Sequence, residues 1–123
     1  MKKITVIEDN QDNRILVRAI LDERYEVEEY ETGPAALEGL KKSVPDLILL
    51  DISLPGLDGI QVLSCIRSEN GLKDIPVIAL TAHAMVGDRE KYLGRGFNDY
   101  VAKPITDETL LFGAIERCLN PSQ

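Results

Sequence analysis

Two stretches of this chain are apolar at every position: Leu47-Ile48-Leu49-Leu50 and Pro76-Val77-Ile78-Ala79-Leu80. A strand with one wet face alternates polar and apolar residues; a strand apolar on both faces needs cover on both. Runs this short, rich in β-branched and aliphatic residues and bounded by turn signals, read as strands rather than buried helices. Pro76 opens its run, where the missing N–H matters least. Two such strands predict a parallel sheet with helices on each side.

The rest of the chain supplies those helices and further strands. Ile4-Thr5-Val6-Ile7 is a β-branched first strand. Ile15, Leu16, Ala19 and Ile20 then recur at helical spacing. Tyr25-Glu26-Val27 begins a short, weakly alternating strand suited to a sheet edge. Thr32 is an N-cap ahead of Pro34, with Leu37 and Leu40 on one helix face. Leu54-Pro55-Gly56-Leu57-Asp58-Gly59 is turn chemistry, and Asp58 caps a helix to about Arg67, which Asn70-Gly71 closes off. A poorer helix, weakened by Gly87 and Gly94, runs from Met85 to Arg95. Tyr100-Val101-Ala102 is the last strand. Thr106-Asp107-Glu108 opens a final helix with the stripe Leu110, Leu111, Ala114, Ile115, Cys118 and Leu119. Five strands alternate with five helices, which predicts right-handed crossovers and a doubly wound α/β sheet formed by one domain over residues 1–123.

Composition narrows the function. The 123 residues carry 14 basic and 21 acidic side chains, a formal net charge of −7. Phosphate backbones need clustered Lys and Arg, so no nucleic-acid partner is expected. No apolar run approaches the length of a membrane span, and no apolar segment of secretory type follows Lys2-Lys3, which points to a cytoplasmic protein without membrane contact. Cys65 and Cys118 lie in apolar helical patterns and read as reduced core thiols. One His and no CxxC exclude a structural zinc site.

In open parallel sheets, ligands bind beyond the carboxyl ends of the strands. There the first strand ends in Glu8-Asp9, the third in Asp51, the fourth in Thr81 and the fifth in Lys103-Pro104. Two carboxylates about 4 Å apart repel by roughly 4 kcal/mol at an effective dielectric near 20. A hard divalent cation offsets that repulsion, because Mg²⁺ prefers oxygen ligands. An acidic, metal-loaded pocket with an ammonium and a hydroxyl suits phosphoryl transfer to one carboxylate.

Glu8-Asp9, Asp51, Leu54 to Gly59, Thr81-Ala82 and Tyr100-Val101-Ala102-Lys103-Pro104, in this order and spacing, resemble the receiver domain of two-component response regulators along essentially the whole chain. The resemblance implies a five-stranded flavodoxin-like sheet in the order 2-1-3-4-5. It implies that Asp51 is the phosphoacceptor, taking a phosphoryl group from a phosphohistidine of a histidine kinase or histidine phosphotransfer protein. Asp9, Asp51 and the main-chain carbonyl of Ser53 would bind Mg²⁺, with Glu8 joining through a metal-bound water. Lys103, the Thr81 hydroxyl and the Ala82 N–H would hold phosphoryl oxygens. Thr81 and Tyr100 would form the switch read by a downstream protein target, and the Lys103–Pro104 bond would be cis. Ser53 and His83 flank the expected phosphoryl position. Such a protein catalyses its own phosphorylation and dephosphorylation without being a conventional enzyme.

Other readings compete. A flavin carrier on this architecture needs a Gly/Ser/Thr loop after the first strand, where Glu8-Asp9-Asn10 stands. An aspartyl-phosphate phosphatase needs a second acid at the position of Ser53. A nucleotide-binding P-loop motif is absent. A receiver-like domain that binds partners without phosphorylation, and a receiver segment of a larger regulator or hybrid kinase, are the alternatives to a stand-alone switch. Only Asn120-Pro121-Ser122-Gln123 follows the final helix, so output by protein contact is expected. Asp58 and Gly59 read as capping and turn geometry, and Arg14, Arg18, Arg89 and Arg95 as solvated helix residues. Gly87, Gly94 and Gly96 would loosen their region.

Overall fold

A computed structural model of the chain describes residues 1–82, 88–103 and 105–120. Its elements alternate: β1 (Lys3–Ile7), α1 (Gln11–Leu21), β2 (Glu26–Tyr30), α2 (Gly33–Lys42), β3 (Leu47–Asp51), α3 (Gly59–Ser68), β4 (Val77–Thr81), α4 (Asp88–Gly94), β5 (Asp99–Ala102) and α5 (Glu108–Leu119). All pairings are parallel and the order is β2-β1-β3-β4-β5. The doubly wound sheet expected from the sequence is the observed one.

The two apolar runs are buried at every residue of β3 and β4. Their pleat sends alternate side chains into two cores. Ile48, Leu50, Val77 and Ala79 join the core that includes Ala36, Leu40, Val62 and Ile66 of α2 and α3. Leu47, Leu49, Ile78 and Leu80 join the core that includes Val17, Leu21, Leu111 and Ile115 of α1 and α5. β2 buries only Val27 because it pairs on one side alone.

Several sequence expectations need correction. In α1 the buried residues are Val17 and Leu21, while Ile15 is 57% and Leu16 38% exposed. The apolar spacing was compatible with two adjacent stripes, and the sheet selects the one centred on Val17. Leu110 faces outward in α5, one position off the buried face of Leu111, Ala114 and Ile115. Cys65 is an exposed thiol rather than a core residue, and Cys118 is half-buried. Arg14 and Arg18 are not free solvated charges. Arg18 pairs with Glu29 and Asp22 and donates to the Val27 carbonyl. The residues from 83 to 87 at the expected start of α4 lie outside the described residues.

Caps fix the helix starts on the site side of the sheet. Asn10 accepts from the Asn13 N–H, and Thr32 from the Ala35 N–H. Asp58 and Gln61 form a reciprocal capping box. Gly59, the first residue of α3, is required by proximity. A Cβ there would collide with the Asp51 carbonyl oxygen and lie 2.7 Å from Ile52 Cα. The positive-φ turn residue is Gly56 instead, with φ 74°.

Candidate functional site

The strand order reverses direction between β1 and β3, and this switch point opens a crevice at the carboxyl ends of the two strands. Glu8 follows β1 directly and Asp51 ends β3. Thr81 ends β4, in register with Ala102 of β5, so Lys103 emerges alongside. The Lys103 N–H donates to the Thr81 carbonyl at 2.7 Å, which fixes where the lysine side chain departs.

The side chains converge. Lys103 Nζ stands 3.1 Å from Glu8 Oε1 and 3.1 Å from Asp51 Oδ1. Asp51 Oδ1 also accepts from the Ser53 N–H at 3.0 Å. Glu8 is held from three directions: by Lys103, by Asn13 Nδ2 at 3.1 Å on Oε1, and by the Asn10 N–H at 3.3 Å on Oε2. Carboxylate oxygens of Glu8, Asp9 and Asp51 lie within 4.8 Å of one another, with Glu8 and Asp51 buried and Asp9 exposed.

This packing sets the charges. Burial, then the hydrogen bond and negative charge of Asp51, push the Glu8 carboxyl up from 4.5 to about 7, against the pull of Lys103 and the Asn10 N–H. Burial also works to raise Asp51, but hydrogen bonds from Glu8, the Ser53 N–H and Lys103 outweigh it and hold Asp51 below the ordinary carboxylate value. Burial works to lower Lys103, and its bonds to Glu8 and Asp51 outweigh that, so the ammonium is held charged. The packing therefore pulls the two buried acids apart, favouring the ionised form of Asp51 and the protonated form of Glu8 while Lys103 is held as the ammonium.

The donor set fits a hard divalent cation. It consists of carboxylate oxygens, and an octahedral Mg²⁺ holds opposite ligands about 4 Å apart. Three carboxylates with oxygens within 4.8 Å of one another offer the all-oxygen ligand set such an ion prefers.

The structure thus brings together Glu8, Asp9, Asp51 and Lys103, with the Ser53 backbone against Asp51. The Thr81 hydroxyl lies 3.0 Å from the Tyr92 hydroxyl, both buried. Half-buried Tyr100 packs against the ring of Tyr92 at 5.7 Å between centroids. Tyr92 therefore touches both expected switch residues. Sequence reasoning missed it, because one aromatic in a poor helix carries no signal of its partner. Ala82 is exposed directly after β4. His83 and Pro104, and with Pro104 the expected cis bond, lie outside the described residues. Asn13 and Arg14, also missed, both address Glu8 from α1. No described helix is long and apolar enough to cross a membrane.

Comparison with known proteins agrees with this geometry. The family described as response regulator receiver domain matches residues 4–115. The chain is 43% identical over 108 residues to the signal transduction histidine-protein kinase BarA of Escherichia coli, covering 87% of this chain and 12% of that protein. It is 39% identical over 106 residues to the polar-differentiation response regulator DivK of Brucella ovis, covering 85% of this chain and 86% of that one. The receiver domain of sensor histidine kinase PA1611 from Pseudomonas aeruginosa PAO1, whose crystal structure has a magnesium ion coordinated in the active-site cleft, matches with a TM-score of 0.86 at 36% identity, covering 97% of this chain and 98% of that one. A crevice of carboxylates and one lysine at the switch point of a 2-1-3-4-5 sheet, on a chain matched from residue 4 to residue 115, places this protein in the response regulator receiver family of two-component signalling.

Proposed function

We propose that Asp51 is the phosphoacceptor of a Mg²⁺-dependent switch. The observation that carries this reading is the state of Asp51. It is a buried carboxylate at the end of a central strand, held ionised and oriented by Lys103 Nζ at 3.1 Å and the Ser53 N–H at 3.0 Å. A carboxylate kept ionised is a competent nucleophile toward phosphorus.

The reaction forms a bond from an Asp51 oxygen to phosphorus and breaks the phosphorus–nitrogen bond of a phosphohistidine on a kinase or phosphotransfer protein. The leaving imidazole retains the electron pair and takes a proton from solvent. Asp9, Asp51 and the Ser53 carbonyl, with Glu8 beside them, would hold a Mg²⁺ ion, which would supply charge neutralisation for the phosphoryl oxygens. Lys103, already charged and 3.1 Å from Asp51, pairs with one phosphoryl oxygen. The Thr81 hydroxyl and Ala82 N–H take another. The product carries close to two added negative charges and new acceptors, which draw Thr81 and Lys103 toward Asp51. Tyr100 then reports the change to a downstream protein. This chemistry serves a stand-alone cytoplasmic regulator over residues 1–123 and a receiver segment of a larger kinase equally well.

The test is incubation with acetyl phosphate and Mg²⁺ followed by intact mass. One phosphoryl adduct is expected, lost with EDTA and lost in Asp51→Asn. A folded protein that takes no adduct, or an adduct that survives Asp51→Asn, overturns the reading.

A further inference from the structure

The turn carrying Glu8 and Asp9 is fastened by a residue that belongs to neither strand end. Arg14 Nη1 donates to the Glu8 carbonyl at 2.8 Å and to the Asp9 carbonyl at 3.0 Å. The same guanidinium faces two acids at the end of the neighbouring edge strand: Nε is 3.6 Å from Glu29 Oε1 and Nη2 is 3.5 Å from Glu31 Oε2. Its side chain is only 14% exposed, although it lies on the first turns of a surface helix. A guanidinium is planar, permanently charged and has its donors in a fixed fork, so contacts on both sides lock its position. Arg14 is therefore a brace between the acid-bearing turn and β2.

We infer that Arg14 is a positioning residue for the divalent-cation site. It touches no carboxylate of that site. It holds the two main-chain carbonyls of the residues that bear them, and so fixes where Glu8 and Asp9 aim. The inference rests on reading Glu8, Asp9 and Asp51 as a Mg²⁺ site. Two effects of Arg14 on that site have opposite signs. Its positive charge opposes the approach of a cation, so loss of charge alone tightens Mg²⁺. Its orientation of the turn favours the cation, so loss of the fork weakens Mg²⁺. Lysine at this position keeps the charge and loses the fork, which isolates the second effect.

The experiment is a Mg²⁺ titration of the full chain, without phosphoryl donor, followed by amide chemical shifts and repeated by calorimetry, for wild type, Arg14→Lys and Arg14→Gln. Chemical shifts report only on folded molecules, and a urea midpoint measured with EDTA records stability separately. Arg14→Lys is expected to weaken Mg²⁺ about tenfold, the scale on which outer contacts of a metal site act. Arg14→Gln is expected to weaken it less, because lost repulsion offsets part of the lost orientation. Mg²⁺ affinity of Arg14→Lys within twofold of wild type overturns the inference, as does tighter binding in Arg14→Gln. If Arg14→Lys does not fold, the sign for Arg14→Gln decides. A wild type that does not bind Mg²⁺ at all overturns the reading of the cluster itself, a result distinct from the failure of Arg14.

Discussion

Glu8→Gln should remove a pH-dependent weakness that the acidic crevice builds into the fold. Glu8 is fully buried beside Asp51, and its carboxyl is pushed from 4.5 to about 7, first by burial and then by Asp51. A native carboxyl in that position keeps a proton that the unfolded chain has already released. Between those two values the unfolded state binds fewer protons, so stability falls as pH rises through the window. At about 1.4 kcal/mol per pH unit, the gap from 4.5 to about 7 sets a ceiling of about 3 kcal/mol lost by pH 8. The partners act elsewhere on the scale. Asp51, held below 3.8, adds stability that is present above its unfolded value and is lost only as pH falls through its folded value. Lys103, raised above 10.5, adds stability that is complete below 10.5 and is lost in strong base.

Glutamine keeps the size and an acceptor for Lys103 but cannot ionise. Urea denaturation of both proteins in EDTA at pH 5, 6, 7 and 8 measures the effect, and the difference between them cancels other groups that titrate in that range. Near pH 5 the two should have similar stability. Toward pH 8 Glu8→Gln should become the more stable, by up to about 3 kcal/mol. Saturating Mg²⁺ should flatten the wild-type profile, because the cation takes over the role of the proton. Parallel wild-type and Glu8→Gln profiles would refute the claim that burial and Asp51 hold the Glu8 carboxyl above its ordinary value.

Two further outcomes follow from the same geometry. Tyr92→Phe removes the 3.0 Å bond to Thr81 and should cost the unphosphorylated protein about 1 kcal/mol in urea titration. Because that bond holds the Thr81 hydroxyl toward α4, its loss should tighten beryllium fluoride binding about threefold, and weaker binding would mean that Tyr92 serves the activated form. Gly59→Ala puts a methyl group into the backbone at Asp51 and Ile52, so α3 must back away from the end of β3. It should cost about 1–3 kcal/mol and slow labelling by acetyl phosphate, and wild-type values for both would contradict the close approach.

Which features were readable from the sequence follows from how each one is encoded. β3 and β4 were legible because burial on both faces leaves no polar position in the run, and Asp51 and Thr81 end those strands at one sheet edge whatever the helices do. β2 was weak for the complementary reason: an edge strand with Glu26, Glu28 and Glu29 buries one residue, so its pattern is faint. The α1 face was misread because Ile15, Leu16 and Ala19 keep helical spacing as well as Val17 and Leu21 do. Spacing supplies a period but no origin, and only the docked sheet supplies the origin.

The site divides along the same line. Glu8, Asp9, Asp51 and Lys103 were found because parallel topology carries every strand end to one edge, so chemistry adjacent to a strand is already placed in space. Arg14 and Tyr92 lie within helices, where the sequence encodes which side faces inward but not which atom lies opposite. Arg14 reads as a solvated charge until the end of β2 is set beside the turn after β1, since its partners Glu8, Asp9, Glu29 and Glu31 belong to two separate segments. Tyr92 carries no signal of its own until β4 brings the Thr81 hydroxyl within reach. The strand-end groups that cluster in such a fold are therefore legible from one chain, whereas the helix groups packed against them are defined by contacts between segments and appear only when the sheet is assembled.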